Sequence, residues 1–316
     1  MKKLLITRDL PQDVLDAARA RFDVTLREST EGLMPDEAAQ ALADYDAILP
    51  TLGDQFTADA FDGPVRAGVL GNFGVGYNHI DVAAATKAGV LVSNTPDVVT
   101  DATADIAMTL ILSACRRAGE GERLLRSGMW LGWSPVQMLG THVTGKRVGI
   151  VGMGRIGQAV ARRCHYGFDM PVIYFNRSQK DVDVPARQVE TLAALMSQAD
   201  IIVVTVPGGG SNTNMIDAAA IAEMQESAHF INVARGDVVD EAALILALQE
   251  RRIAGAGLDV YAREPLVPQE LRDLENVVLL PHLGTAALEV RAAMGMMALE
   301  NIIAWDEGKP LPQRVI

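Results

Sequence analysis

The chain has 316 residues, which is enough for two domains with separate hydrophobic cores, and its 49% hydrophobic and 22% charged residues exclude a disordered chain. Its formal net charge of -12 argues against a nucleic-acid partner, because phosphate backbones are bound by clustered Lys and Arg. A small anionic substrate is still compatible with this charge, since one or two buried Arg can set the local field.

Short apolar runs alternate with helix-length segments from the start of the chain, which predicts an α/β fold with parallel strands. The first run, residues 4–6, is too short for a signal peptide, so we interpret it as a strand and expect a cytoplasmic protein. No apolar run reaches the roughly 20 residues of a membrane span, so no membrane partner is expected. In the first third, strands are predicted at residues 3–7, 24–26, 47–49, 68–70 and 90–92, with helices that include 11–21 and 35–43.

A long helix is predicted over residues 101–117, where apolar side chains recur at helical spacing. In the following segment, residues 119–145, Trp130, Trp133 and Met138 stand among glycines without a clear period. Two interpretations of this segment stay open. It is either an exposed arm that pairs with a second copy or a loop packed on its own subunit.

A second α/β series follows, and an apolar-periodic helix over residues 286–305 ends the chain. This order suggests that one domain is inserted within another, with the two long helices at the crossings. The strands of this second series are predicted at residues 148–151, 172–175, 201–205, 229–233, 255–258 and 277–280, with helices at 155–163 and 241–250.

Cys115 and Cys164 lie in helical segments without a Cys-x-x-Cys or Cys/His spacing, so neither a disulfide nor a metal site is expected.

A glycine-rich turn, Gly152-Met153-Gly154-Arg155-Ile156-Gly157, follows a predicted strand and opens a predicted helix. The pattern alone is weak, but this context is typical of a dinucleotide-binding turn. The first glycine permits the tight turn, the second allows close approach of a pyrophosphate, and the third lets the helix pack on the strand. The helix N-terminus then offers N–H groups to the phosphates. We therefore expect cofactor contacts from Gly152, Gly154, Arg155, Ile156 and Gly157.

The end of the next strand indicates which nicotinamide cofactor is used. A cofactor with a free ribose 2′-OH usually meets Asp or Glu about 20 residues after the turn. Here Asn176, Arg177 and Ser178 occupy this place, and a cation with a hydroxyl can bind a 2′-phosphate. The sequence predicts NADP, with NADPH preferred over NADH. The alternative is that Arg177 is only a solvated surface charge.

Three strand ends of the second series carry ionisable residues, where open sheets place their ligands: Arg235, Asp259 with Glu264, and His282. Carbonyl reduction needs a hydride from one side and a proton from the other, and histidine is the natural acid near neutral pH. A carboxylate beside it would fix its tautomer and favour its protonated form. An arginine can bind a carboxylate bidentately and polarise the adjacent carbonyl. Taken singly, each residue has an ordinary structural explanation.

Together with these residues, several motifs make the chain similar to the D-isomer-specific 2-hydroxyacid dehydrogenase family, and most of all to its glyoxylate/hydroxypyruvate reductase branch. The resemblance covers nearly the whole chain. The motifs are residues 72–81, 94–97 and 103–105, the glycine turn, Arg235, Glu264-Pro265 and Pro281-His282.

This resemblance implies an α/β fold in which a Rossmann-type coenzyme domain, residues 99–284, is inserted into a smaller flavodoxin-like substrate-binding domain, residues 1–98 and 285–316. It also implies a cleft that closes on ligand, and a homodimer. The chain departs from the family pattern in residues 206–213, which are glycine-rich where the family often has Pro-Leu-Thr, and at Asp105, where many members have Glu.

By the same resemblance His282 is the acid/base, Glu264 orients it, and Arg235 holds the substrate carboxylate and carbonyl. The backbone N–H groups of Val75 and Gly76 would bind the same carboxylate. The remaining implied cofactor contacts are Thr103, Val233, Gly284 and Asp259, the last of these at the nicotinamide carboxamide. The expected reaction is NADPH-preferring reduction of glyoxylate or hydroxypyruvate to the D-2-hydroxy acid, with the hydride from the nicotinamide and the proton from His282.

Alternatives remain on this fold. A larger 2-oxo acid, such as a 2-ketogluconate-type acid, is one, although Trp133 and Met138 from a partner subunit could narrow the pocket. A non-catalytic NADP(H) sensor is another, because fold does not determine function. Formate dehydrogenase is a weaker match, since it usually has Gln where Glu264 stands, and phosphoglycerate dehydrogenases often add a regulatory domain. The Arg-rich patch at residues 116–126 is offset by Glu120 and Glu122 at helical spacing, which is typical of an ion-paired solvated face.

Overall fold

The computed structural model describes the whole chain, Met1–Ile316, and divides it into two compact units. The first unit contains Met1–Val99 and Thr285–Ile316, and the second contains Thr100–Gly284. The domain boundaries predicted from the sequence fall after residues 98 and 284. One unit is therefore continuous, and it interrupts the other.

The first unit is a five-stranded parallel sheet with helices. Its strand order, β2-β1-β3-β4-β5, is the flavodoxin-like order that the resemblance implied. The strands are β1 (Lys3–Ile6), β2 (Asp23–Leu26), β3 (Ala47–Leu49), β4 (Val69–Gly71) and β5 (Leu91–Ser93). The helices are α1 (Gln12–Arg19), α2 (Pro35–Asp44), α3 (Val82–Lys87) and α11 (Leu288–Asp306), with a 3₁₀ turn at Ala58–Phe61.

The second unit is a seven-stranded sheet in the order β12-β11-β10-β9-β6-β7-β8, and every neighbouring pair is parallel. The order reverses between β6 and β9, as in a Rossmann fold, so the predicted fold class is confirmed. The strands are β6 (Val148–Val151), β7 (Val172–Phe175), β8 (Ala186–Gln188), β9 (Ile201–Val204), β10 (His229–Asn232), β11 (Gly255–Leu258) and β12 (Val277–Leu279). The helices are α4 (Thr100–Cys115), α5 (Ala118–Arg126), α6 (Arg155–Phe168), α7 (Leu192–Gln198), α8 (Ala218–Ala222), α9 (Glu241–Gln249) and α10 (Gln269–Arg272), with 3₁₀ turns at Gly210–Asn212 and Gly236–Val238.

Burial on both faces explains why the central strands of this sheet are continuous apolar runs. All four residues of β6 and of β9 are buried. Alternate side chains enter two separate cores: Val204 and Phe230 belong to one, whereas Ile150, Val203 and Ile231 belong to the other. The two cores hold the sheet rigid, so its strand ends are fixed platforms for loops.

Two elements differ from the prediction. The helix predicted over residues 101–117 ends at Cys115, and Arg117 takes a left-handed conformation before α5 begins within the supposed loop. Gly119 and Gly121 lower the helix propensity of α5 and obscure its periodicity. Ion pairs Arg117–Glu120 and Arg126–Glu122 lie along this helix, as the charge spacing predicted. The second difference is β8, a three-residue edge strand too polar to be recognised.

The two cysteines are free and buried, and burial raises the pKa of the Cys115 and Cys164 thiols to about 12. Both thiols therefore stay protonated at neutral pH.

The chain brings no three His, Cys, Asp or Glu side chains together in a way that could hold a metal ion. None of its helices combines the length and the apolar character that a bilayer crossing requires.

Candidate active site

The carboxyl edge of the seven-stranded sheet gathers most of the predicted site residues. Parallel strands end at the same edge, so loops that are far apart in sequence become neighbours there. The loops after β6, β7, β10, β11 and β12 carry Gly152–Gly157, Asn176–Ser178, Val233–Arg235, Asp259–Glu264 and His282–Gly284, respectively.

The glycines of the turn after β6 differ in what surrounds them. Gly152 has a positive φ of 98°, and a Cβ there would lie 2.7 Å from Val206 Cγ1. A Cβ on Gly157 would overlap the carbonyl oxygen of Gly152, so this glycine allows α6 to pack against the strand. Gly154 directly precedes α6, and a Cβ on this residue would meet nothing within 4 Å. The open space beside Gly154 is where a pyrophosphate fits, at the N-terminus of a 14-residue helix.

The loop after β7 lies beside this turn. The Oδ1 atom of Asn176 accepts a hydrogen bond from Met153 N at 3.3 Å, and its Nδ2 atom donates to Ser178 O at 2.8 Å. Asn176 therefore shapes the loop. Arg177 and Ser178 are exposed, and Arg177 makes no ion pair. The loop beside the glycine turn therefore presents a cationic side chain without a carboxylate partner.

His282 and Glu264 form the central pair of the site. His282 Nδ1 lies 2.7 Å from Glu264 Oε2, and both side chains are only about a quarter exposed, at 28% and 27%. The other carboxylate oxygen, Oε1, accepts the backbone N–H of Tyr261 at 3.1 Å. His282 takes a positive φ of 54°, and its N–H donates to Asp259 O at 3.0 Å. The loop conformation therefore aims the imidazole at the carboxylate.

Glu264 is held in its ionised form. Burial alone would raise the pKa of Glu264, but the hydrogen bond and charge of His282, the Tyr261 N–H and the charge of Arg235 together lower it below the usual value. A carboxylate in this state keeps a proton on Nδ1 of the imidazole. The opposite nitrogen, Nε2, is then the atom that can exchange a proton with a substrate.

Arg235 follows β10 in a closely packed loop. Its Nη1 atom donates to Ala234 O at 2.6 Å, and its carbonyl oxygen accepts a hydrogen bond from Asn232 Nδ2 at 3.0 Å. Burial lowers the pKa of Arg235, and the nearby carboxylates of Glu264 and Asp237 counteract this. An arginine remains charged under such conditions. The site thus holds one fixed cation close to the His282–Glu264 pair.

The glycine-rich loop at residues 206–213 contacts this arginine. A Cβ on Gly208 would lie 2.6 Å from Asp237 Oδ1 and 2.8 Å from Arg235 Cγ. Gly209 N–H donates to the other Asp237 oxygen at 2.7 Å. In this chain, a larger residue at Gly208 would therefore have to displace the Arg235 side chain or move the loop.

Asp259 fastens the turn that carries His282. It is 1% exposed, and its two carboxylate oxygens accept Leu283 N at 2.6 Å and Gly284 N at 2.8 Å. Burial, the dominant influence, raises the pKa of Asp259 despite these bonds and the nearby His282. A Cβ on Gly284 would lie 3.4 Å from Asp259 Oδ2 and 3.6 Å from Thr103 Oγ1. Gly284, Asp259 and Thr103, which are three of the expected cofactor contacts, are therefore neighbours.

Sequence reasoning missed three residues that support the site. Asp237 anchors the loop beside Arg235, and Gly236 has no room for a Cβ against the backbone of Tyr261. The Tyr261 hydroxyl lies between the ends of β11 and β12, 3.2 Å from Leu258 O and 2.9 Å from Leu280 O, so its single proton can be shared by the two carbonyls. The only available signal was their position within two or three residues of a predicted site residue.

The segment after α5 is exposed and apolar, and we call residues 129–139 the arm. Leu131, Trp133 and Val136 are 96%, 79% and 76% exposed, respectively. Met138 instead packs against α5, with its Cε atom 3.6 Å from a Cβ placed on Gly121. Within the second unit, the arm is therefore the largest group of apolar side chains left uncovered.

Val75 and Gly76, the other predicted substrate contacts, lie in the first unit, just after β4.

Known proteins are similar to this chain over its whole length. Residues 108–284 match the family model for the D-isomer specific 2-hydroxyacid dehydrogenase, NAD binding domain. A glyoxylate reductase of Thermococcus onnurineus is 40% identical over 99% of this chain and 95% of its own length, and that of Pyrococcus furiosus is 38% identical with the same coverage.

Solved structures agree with this assignment. A D-isomer specific 2-hydroxyacid dehydrogenase described from Polaromonas superposes with a TM-score of 0.93 at 36% identity and covers 100% of both chains. An NADPH-dependent glyoxylate/hydroxypyruvate reductase of Sinorhizobium meliloti, in complex with NADP and malonate, superposes with a TM-score of 0.87 at 33% identity, covering 99% of this chain and 96% of its own. The chain therefore belongs to the D-isomer specific 2-hydroxyacid dehydrogenase family and is an NAD(P)-dependent oxidoreductase.

Proposed function

We propose that this chain reduces a small 2-oxo acid of the glyoxylate or hydroxypyruvate type to the D-2-hydroxy acid, with NADPH preferred over NADH. The observation that carries the proposal is the 2.7 Å pair of His282 and Glu264 beside the half-buried Arg235. Relatives named glyoxylate reductase, 40% and 38% identical over almost the whole chain, support this substrate class.

Three side chains would divide the chemistry between them. Arg235 binds the substrate carboxylate and polarises the adjacent carbonyl. Glu264 holds Nδ1 of His282, so that the proton on Nε2 faces the carbonyl oxygen. His282 gives this proton to the oxygen as the carbonyl becomes an alcohol, and solvent then reprotonates the imidazole. The cofactor, when bound, supplies the hydride.

The cofactor would be held by the glycine turn and by the loop after β7. Gly152, Gly154, Arg155, Ile156 and Gly157 surround the pyrophosphate position. The exposed Arg177 and Ser178 would bind the 2′-phosphate, while Asn176 keeps their loop in place. The further contacts that we propose are Thr103, Val233, Asp259 and Gly284.

Initial rates test the proposal directly. Purified protein should oxidise NADPH with glyoxylate and with hydroxypyruvate, and should do so more slowly with NADH, as followed by the loss of nicotinamide absorbance. Turnover of a bulky 2-oxo acid alone would favour the larger-substrate alternative. Binding of NADPH without turnover of any 2-oxo acid would contradict the proposal and favour the sensor.

The cofactor preference has its own matched pair of variants. Arg177→Asp should lower the NADPH/NADH ratio of kcat/KM by roughly 10–100-fold, because it removes a charge-assisted hydrogen bond of about 1.5–3 kcal/mol and adds a repulsive charge. Lys180→Asp makes the same charge change three residues further along an exposed loop, and should leave the ratio close to that of the parent. An unchanged ratio in Arg177→Asp would show that this arginine is only a surface charge.

We infer that the arm pairs two copies into a homodimer. An apolar surface that contains Leu131, Trp133 and Val136 is costly to leave in water, and a symmetric partner would cover it. The double variant Leu131→Glu/Trp133→Glu should shift the mass measured by sedimentation from dimer to monomer. Leu288→Glu, at a leucine that is 74% exposed outside the arm, is the control. A parent that sediments as a monomer would refute the inference.

A further inference from the structure

The chain between β4 and α3, in the first unit, turns three successive peptide carbonyls towards two asparagine side chains. Asn72 Nδ2 donates to Gly74 O at 3.0 Å and to Gly76 O at 3.1 Å. Asn94 Nδ2 donates to the carbonyl between them, Val75 O, at 2.9 Å. The backbone N–H of Thr95 adds a second bond to Gly74 O at 3.0 Å.

The orientation of these carbonyls determines that of the N–H groups. In a trans peptide the C=O of one residue and the N–H of the next point in opposite directions. The N–H groups of Val75, Gly76 and Tyr77 therefore point away from the asparagines. None of the three donates a hydrogen bond within the chain, and the Val75 and Tyr77 residues are each 37% exposed. Three adjacent free donors within one short turn are the kind of backbone arrangement that binds an anion.

The two asparagines are themselves firmly held. Asn72 is fully buried, and its backbone N–H donates to Ser93 O on β5 at 3.1 Å. The backbone N–H of Asn94 donates to Gln313 O at 3.3 Å. At the start of the turn, Gly74 has a φ of 155°, which favours glycine. The turn is thus shaped before any ligand arrives.

The charge of the segment makes this geometry decisive. Residues 67–86 contain neither Lys nor Arg, so the contribution of this segment to anion binding comes from peptide dipoles. Such dipoles act only when they are aligned, because each N–H carries a partial charge. Misalignment of the turn would remove this contribution without changing any charged residue.

We propose that Asn72 and Asn94 are positioning residues for carboxylate recognition, which preset the N–H groups of Val75, Gly76 and Tyr77 as a cradle for one carboxylate. This rests on the proposed function, the reduction of a small 2-oxo acid, and on the expectation from the resemblance that Val75 and Gly76 bind the substrate carboxylate together with Arg235. It adds Tyr77 N–H as a third donor and assigns the alignment of all three to two side chains that do not touch the substrate.

The test uses malonate as the carboxylate probe, with the full chain saturated with NADP⁺ and binding followed by calorimetry. Asn72→Ala and Asn94→Ala should each weaken malonate binding about tenfold, the effect of losing one charge-assisted hydrogen bond, and should raise KM for glyoxylate more than they lower kcat. The affinity for NADP⁺ should not change. Turnover of methylglyoxal, a neutral 2-oxo aldehyde, should also stay at the parent level.

Asn276→Ala, in the second unit, is the matched control. Like Asn94, Asn276 is half-buried, and its amide donates to Leu248 O at 3.4 Å and to Ala254 O at 3.3 Å, but it does not bond the turn. Its loss should lower Tm with no change in malonate affinity. If Asn72→Ala does not fold, Asn94→Ala carries the test, because Asn94 is only half-buried.

The outcomes separate this inference from the proposed function. Unchanged malonate affinity in folded Asn94→Ala would overturn the positioning role, even if glyoxylate is a good substrate. Equal losses for glyoxylate and methylglyoxal would overturn it too, because they would indicate a purely structural role. If the parent binds malonate but does not reduce glyoxylate, the proposed function fails, and weaker malonate binding by the variants would still support the cradle.

Discussion

Replacing His282 with alanine should lower kcat by about 10²–10⁴-fold, the range expected for loss of a positioned general acid. The dissociation constant of NADPH should stay close to that of the parent, since the imidazole hydrogen-bonds to Glu264 and not to the glycine turn. Stopped-flow or steady-state rates with glyoxylate, together with NADPH fluorescence titrations, measure the two quantities separately. His142→Ala removes an exposed histidine elsewhere and should be silent in both.

Glu264→Gln distinguishes a proton donor from a structural histidine. The amide keeps the size of the side chain but removes the carboxylate that holds Nδ1 of His282. Reduction should therefore be slower, because Nε2 is no longer presented to the substrate carbonyl in a fixed tautomer. Because the pKa of Glu264 lies below its usual value, the parent carboxylate is ionised at neutral pH, and the loss of its charge is felt there in full. If His282→Ala and Glu264→Gln each lose turnover and NADPH affinity in parallel, the result would instead indicate that the loops carrying these residues are misfolded.

Arg235→Lys should reduce kcat/KM for the 2-oxo acid by roughly 10²–10³-fold. Lysine keeps the charge but cannot form the paired N–H contacts of a guanidinium, and each charge-assisted hydrogen bond contributes about 1.5–3 kcal/mol. Most of the loss should appear in KM, because the carboxylate is bound in the ground state as well as in the transition state. Steady-state kinetics with glyoxylate at saturating NADPH would show it. A change confined to kcat would mean that Arg235 does not bind the carboxylate.

A companion variant acts on Arg235 without replacing it. Gly208→Ala places a methyl group 2.8 Å from Arg235 Cγ and 2.6 Å from Asp237 Oδ1, so the arginine must shift. KM for the 2-oxo acid should rise in the same direction as in Arg235→Lys, but by a smaller factor. Ser211→Ala changes an exposed residue of the same loop and should not alter KM. Parent-like kinetics in Gly208→Ala would show that the loop yields more easily than the arginine.

Strand positions were predictable from the sequence where burial is complete on both faces. The runs at Val148–Val151 and Gly255–Leu258 were predicted with the observed bounds, because every position there must be apolar or small. The helix α5 was missed since its two glycines weaken the helical pattern, and β8 was missed because an edge strand need not be apolar.

The grouping of the candidate site residues was predictable for a related reason. Strand ends of a parallel sheet converge, so Arg235, Glu264 and His282 could be grouped from their positions after β10, β11 and β12. The contacts that hold them could not be predicted, because they depend on loop dihedrals such as the positive φ of His282. The role of Asp259 illustrates this, since both carboxylate oxygens accept backbone N–H groups of the His282 turn. Its contact with the nicotinamide carboxamide remains a prediction.

The two buried cysteines make the chain convenient for site-directed labelling. With thiol pKa values of about 12 and no exposed surface, Cys115 and Cys164 should be inert towards maleimides and iodoacetamides in the folded protein. A cysteine introduced at a surface position would then be the single reactive thiol, with no native cysteine to remove. Spin labels or fluorophores placed in this way on α1 or α9 could test the proposed homodimer and could follow the response to an added ligand in otherwise unmodified protein.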